Sequence, residues 1–235
     1  MLTVTGNHSF KTLFATNPVI KQDTAERRRK QTKNYTLVVY FRIMKVIALN
    51  GSPRLLGNTS NIVMDMLDGF AKEGIETEHI QLFSYNFIAC NDCRSCEMRG
   101  DGRCIHEDDE LNNIMDKMRK ADAILFASPA YYGTVTSQMK VFLERAGLSF
   151  ETGDLGLRRK VGGAVAVAAH DGASTAYSEM VNFMLRNQMI VCGSTPQTVF
   201  RALNSPQYLE DKGAVKAIST LVKEMIWAME QLQKK

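Results

Sequence analysis

Lys45-Val46-Ile47-Ala48-Leu49-Asn50-Gly51-Ser52-Pro53-Arg54-Leu55-Leu56-Gly57-Asn58-Thr59-Ser60 is the stretch that decides the fold. Residues 45–49 are nearly all apolar, without alternation, as in a strand covered on both faces of a parallel sheet. A turn containing glycine and proline ends the strand. Residues 59–72 then put Ile62, Val63, Met66, Leu67 and Phe70 on one helical face, and Gly74 stops the helix.

The same alternation continues outward from this unit. Strands are expected at 76–82, 122–127 and 161–168, with a fifth beginning at 189–192. Helices are expected at 108–120, 135–147, 173–187 and 209–233, the first opening on Asp108, Asp109 and Glu110 and closing on Lys117, Arg119 and Lys120. Strands separated by helices of this length imply parallel βαβ units, and hence an α/β doubly wound three-layer sandwich on a five-stranded parallel sheet. In such sheets a ligand sits beyond the carboxyl ends of the strands, at the point where the strand order reverses.

Charge and cysteine usage narrow the function. Of 29 Lys/Arg and 25 Asp/Glu, residues 1–43 hold eight and two. The remaining chain, 44–235, is therefore mildly acidic, and a nucleic-acid reading based on whole-chain charge falls. Residues 1–43 lack sustained periodicity and read as an N-terminal extension, disordered or upstream of a natural start at Met44, with 37–41 able to add an edge strand. An organellar leader is the lesser alternative there. No apolar run reaches a membrane span. Four of the five cysteines (Cys90, Cys93, Cys96 and Cys104) fall in one irregular insertion, 83–107, which points to a metal or redox site in a reducing compartment, the cytoplasm.

The turn at 50–60 pairs hydroxyls (Ser52, Thr59, Ser60), Asn58 and Arg54 with a helix N-terminus, and suits one phosphate monoester as well as it suits an ordinary helix cap. It is neither a P-loop nor a dinucleotide fingerprint. The cysteines follow C-x2-C-x2-C-x7-C, with the first three at a pitch that lets thiolates converge on one cluster face. Soft thiolates favour iron–sulfur or zinc over hard cations, and the two separated knuckles of a structural zinc are missing. Lys140, Glu144 and Arg145 suit a surface ion-pair group as well as a functional one, while His170 reads as a solvated loop residue and Cys192 as core.

G-S-P-R-x-x-G-N-T-S at 51–60 and S-P-x-Y-x-G at 128–133 together resemble the NADPH-dependent FMN reductase and iron–sulfur flavoprotein families. The resemblance spans essentially all of 44–235. It implies a flavodoxin-like sheet of order 2-1-3-4-5. It also implies FMN with its phosphate on Ser52, Arg54, Asn58, Thr59 and Ser60 and its ring on Pro129, Ala130, Tyr131, Tyr132 and Gly133. The cysteines would hold a [4Fe–4S] cluster beside the flavin. The implied activity is a flavin-dependent oxidoreductase, with NAD(P)H as co-substrate and a small-molecule or protein electron acceptor. The flavin carries the chemistry, so no catalytic acid or base is assigned. A homodimer or homotetramer is implied, with the cysteine loop and 150–160 as contact regions. An electron carrier with little NAD(P)H turnover and a non-enzymatic zinc or redox-sensing module remain the alternatives.

Overall fold

The computed structural model describes residues 42–234. Residues 1–41, which include the edge strand expected at 37–41, lie outside the described residues. The chain runs β1 (Lys45–Asn50), α1 (Asn58–Lys72), β2 (Glu76–Gln81), α2 (Ser95–Arg99), α3 (Leu111–Lys120), β3 (Ala123–Pro129), α4 (Ser137–Thr152), β4 (Val161–Ala168), α5 (Ala173–Arg186), β5 (Ile190–Val191), β6 (Val199–Arg201) and α6 (Lys212–Gln233).

All strand pairs are parallel, in the order β2-β1-β3-β4-β5, with β6 also pairing β4. This is a flavodoxin-like sheet, with one refinement: the fifth position is filled by two short strands. β5 pairs the start of β4, at Val161 and Gly162, and β6 pairs its end, from Ala166 to Ala168. Residues 192–198 interrupt the edge between them.

Two cores follow from the period of two along each strand. Ile47, Leu49, Ile124 and Phe126 face α3, α4 and α5, where Met115, Met118, Phe142, Met180 and Phe183 cover them. Val46, Ala48, Leu125 and Val165 face α1 and α6, under Ile62, Met66, Phe70, Leu221 and Met225. Element boundaries differ from expectation by up to five residues. α3 begins at Leu111, and Glu110 before it is left-handed (φ 63°). α4 runs on to Thr152, capped at its start by Thr136, whose side chain accepts from Met139 N–H.

Adjacent glycines in β4 let both helical layers approach. A Cβ on Gly162 would lie 2.4 Å from Met184 Sδ of α5, and one on Gly163 would lie 2.6 Å from Met225 Sδ of α6. Overpacking at such a contact costs about 1–3 kcal/mol. Gly163→Val is therefore expected to destabilise the chain by about that amount, read as a lower denaturant midpoint with an unchanged slope. Wild-type stability would show that α6 does not rest on the sheet at this point.

Candidate functional site

β1 ends in Asn50, which is fully buried. Its amide nitrogen donates to Ser60 Oγ at 2.9 Å and lies 3.2 Å from His79 Nε2, while its carbonyl oxygen accepts from Ser52 N–H at 2.9 Å. Ser60 Oγ in turn donates to the Arg54 carbonyl at 2.7 Å. Ser52 Oγ accepts from Arg54 N–H at 3.1 Å, and Gln81 of β2 donates to the Ser52 carbonyl. The turn is thus built by side chains before any ligand is considered. The next strand end is tied to it: Gly51 N–H donates to the Ala127 carbonyl at 2.8 Å, and Thr136 Oγ1 donates to the Gly51 carbonyl at 2.6 Å.

The turn opens onto a cleft of about 410 Å³. Ser52, Arg54, Asn58 and Thr59 form one wall, and Pro129, Ala130 and Tyr131 the opposite lip. Gly57 precedes α1 and no side chain caps the helix, so the N–H groups of its first turn have no side-chain acceptor. Asn58 Nδ2 donates to the Asn204 carbonyl at 3.0 Å, but its Oδ1 is buried without a partner. A buried orphan acceptor in a cleft wall has room for one donor from a ligand. An uncapped helix start, an arginine and a cleft of this size fit a phosphorylated mononucleotide.

The far lip is a tight turn. Tyr131 N–H donates to the Thr134 carbonyl at 2.8 Å, with Tyr132 (φ 51°) and Gly133 (φ 90°) both left-handed at its centre. Gly172, at the end of β4's loop, packs on this turn: a Cβ there would lie 2.7 Å from Gly133 Cα. Lys140 pairs with Glu179 at 2.8 Å, and Glu179 also accepts from Thr134 Oγ1. Burial raises the Glu179 pKa, but Lys140 and Thr134 more than offset that and hold it below the usual carboxylate range.

Not every expected residue reaches the cleft. Ser60 lies beneath the turn, Tyr132 points to solvent, and Gly133 serves the turn's backbone. His170 is exposed. The structure adds a third wall, Ala168-Ala169 and Ala202-Leu203-Asn204-Ser205. Its signal in the sequence is slight, a loop following a three-residue strand. Cys192 is half-buried at the sheet edge, where burial pushes its thiol up to about 11.

Cys90, Cys93, Cys96 and Cys104 line one small cavity, closed by His106, Arg145, Leu148 and Ser149. Cys96 lies in α2 and is buried, whereas Cys90 and Cys93 are exposed. Ser95 draws the Cys93 thiol below the ordinary range, through its side chain first and then its backbone N–H. Asp92 (φ 54°) and Arg94 (φ 57°) flank Cys93 in the left-handed region, which costs about 1–3 kcal/mol each. Asn112 of α3 brackets Cys104, accepting from its N–H and donating to its carbonyl, both at 2.9 Å.

Arg145 belongs here and not on the surface: its side chain is 1% exposed, and Asp109, which it pairs, is 8% exposed. It also donates to the Ile88 carbonyl at 3.0 Å and to Cys104 Sγ at 3.1 Å. Of Lys140, Glu144 and Arg145, only the first two are a surface pair, at 3.5 Å. Among the described residues no group of three or more His, Cys, Asp or Glu is placed to hold a single metal ion. Two buried polar atoms in the cavity wall, Arg145 Nε and His106 Nε2, lack partners. Four soft thiols spread round one cavity, with orphaned polar atoms behind them, fit an iron–sulfur cluster in ligand type and number.

A cleft at the carboxyl ends of a flavodoxin-like sheet, with an uncapped helix start in its wall, has the position and chemistry of a nucleotide-cofactor site. Residues 44–199 match the model of the NADPH-dependent FMN reductase family, and the chain belongs to that family. It is 41% identical over 160 residues to an iron–sulfur flavoprotein of Methanocaldococcus jannaschii, covering 66% of this chain and 79% of that one. It is 28% identical over 193 residues to an iron–sulfur flavoprotein of Methanosarcina thermophila, covering 81% and 98%. Among solved structures it is similar in fold to RosB, described with bound 8-demethyl-8-formylriboflavin-5'-phosphate, at a TM-score of 0.65 and 23% identity over 82% of this chain and 81% of that one. Among the described residues no helix is long and apolar enough to cross a membrane.

Because three hydrogen bonds of the turn converge on one buried amide, Asn50→Ala leaves Ser60, His79 and Ser52 short of partners. A loss of about 2–4 kcal/mol in unfolding free energy is expected from the usual 1–3 kcal/mol per unsatisfied buried group. Equilibrium denaturation measures it, and a loss under about 0.5 kcal/mol, the scale of a surface substitution, would show that Asn50 does not hold the turn.

Proposed function

We propose that the chain is an FMN-dependent NAD(P)H:acceptor oxidoreductase that also carries a [4Fe–4S] cluster on Cys90, Cys93, Cys96 and Cys104. The observation that carries the flavin half is the cleft wall at Asn58, with an uncapped helix start and a buried acceptor side by side. The phosphate is read onto the N–H groups at the start of α1, with Ser52, Thr59 and Arg54 beside it. Asn58 Oδ1 suits a hydroxyl donor of the ribityl chain. Pro129, Ala130 and Tyr131 are read against the isoalloxazine, and the Tyr131–Thr134 turn fixes their backbone.

Bound FMN would supply hydride and single-electron transfer between a nicotinamide and the acceptor. The chain's part is to position and to exclude water. α4 serves both sites: Thr136 at its start is bonded to the phosphate turn, and Arg145, nine residues on, faces the cysteines. At 1.5 Å per residue that is about 14 Å along the helix. The similarity to iron–sulfur flavoproteins supports the cluster. The acceptor is read as a small molecule or a protein, the assembly as a homodimer or homotetramer, and the location as the cytoplasm.

The test is anaerobic purification of the full chain, assay of iron, sulfide and FMN on one sample, and steady-state NADH and NADPH oxidation. About four iron and four sulfide per chain, with FMN and sustained turnover, are expected. FMN and iron without turnover would replace the reductase by an electron carrier. Zinc with neither chromophore would overturn the proposal in favour of a non-enzymatic module.

A further inference from the structure

We propose that Arg145 is a positioning residue for the cluster reading above, on which this inference rests: its N–H to Cys104 Sγ sets the charge density on that sulfur, and Asp109 balances it. Arg145 is among the largest fully buried side chains of the chain. It reaches the cysteine loop from α4 with a forked set of donors, to the Asp109 carboxylate, the Ile88 and His106 carbonyls and the Cys104 sulfur. The backbone of Cys104 is held separately by Asn112. Arg145 anchors the loop through Ile88, His106 and Asp109, so its further bond to the Cys104 sulfur, whose backbone Asn112 already holds, is the one with another use.

A buried ion pair adds little net stability over an apolar pair of the same size. An arginine kept there, aimed at one of four ligand sulfurs, is explained better by what it does to that sulfur. A hydrogen bond to a ligand sulfur stabilises the more negative, reduced cluster and raises its reduction potential. The Asp109 carboxylate, which accepts from both terminal nitrogens of the same guanidinium, opposes this. Lysine cannot replace the fork, because a single ammonium does not fix both the carboxylate and the sulfur in one plane.

The two partners therefore act with opposite sign, and a purely structural clamp would not. The experiment is a redox titration of the cluster, followed by electron paramagnetic resonance, in FMN-loaded wild type, Arg145→Lys and Asp109→Asn, with iron, sulfide and FMN counted on each sample. The potential is expected to fall in Arg145→Lys and to rise in Asp109→Asn, at unchanged iron and FMN content. An unchanged or raised potential in Arg145→Lys, or movement of both variants in one direction, overturns the proposal. So does a lysine variant that keeps FMN and loses iron, since Arg145 would then build the site and not adjust it. If the lysine variant does not fold, Asp109→Asn decides alone, a raised potential supporting the proposal and any other result overturning it. Wild type with FMN but without iron or sulfide would instead remove the cluster reading, and this inference with it.

Discussion

Where β1 stops, the Asn50 side chain turns back, and the rest of the site depends on that one buried amide. Its nitrogen and oxygen hold Ser60, His79 and Ser52, so the chain leaves the sheet in one conformation and enters α1 without a side-chain cap. A helix start left uncapped beside water would be an ordinary surface feature. Set in the wall of a cleft, next to Arg54 and an orphaned Asn58 acceptor, it offers unpaired N–H groups of the kind an anion takes. The same strand end is linked through Gly51 to β3 and to Thr136, so the two lips of the cleft cannot shift independently.

α4 is the second organising element. Its start is bonded to the 50–60 turn through Thr136 and its middle to the cysteine loop through Arg145, so one helix fixes the separation of the cleft and the cysteines. The loop itself has little regular structure of its own beyond the short α2. What anchors it is polar and non-local: Asn112 on Cys104, Arg103 on Asp116 at 2.7 Å, and Arg145 on Asp109. Its shape is therefore owed to polar bonds more than to packing, and left-handed residues flank Cys93 within it.

How legible this was in the sequence varied with locality. β4 was read to its final boundaries because an unbroken apolar run has sharp ends. The fifth strand was not, because its two segments owe their existence to pairing with opposite ends of β4, which no local pattern shows. The start of α3 was read three residues early: Asp108, Asp109 and Glu110 look like an acidic first turn, but Asp109 turns to Arg145, 36 residues on. Arg145 itself sits beside a genuine surface pair at helical spacing, so its burial had no local signal. The cleft-lining residues of 52–59 and 129–131 lie on turns that glycine, proline and hydroxyls mark in the sequence, whereas the 202–205 wall comes only from the way β6 returns to the sheet.

The central claim is that the 52–59 turn is a phosphate site in a flavin cleft. Its most direct test is the affinity of flavin-free protein for FMN against riboflavin, followed by quenching of flavin fluorescence. The two ligands differ only in the phosphate. Charge-assisted hydrogen bonds worth about 1.5–3 kcal/mol each predict FMN binding at least about a hundredfold tighter, with most of that difference lost in Arg54→Ala. Equal affinity for the two flavins would contradict the account.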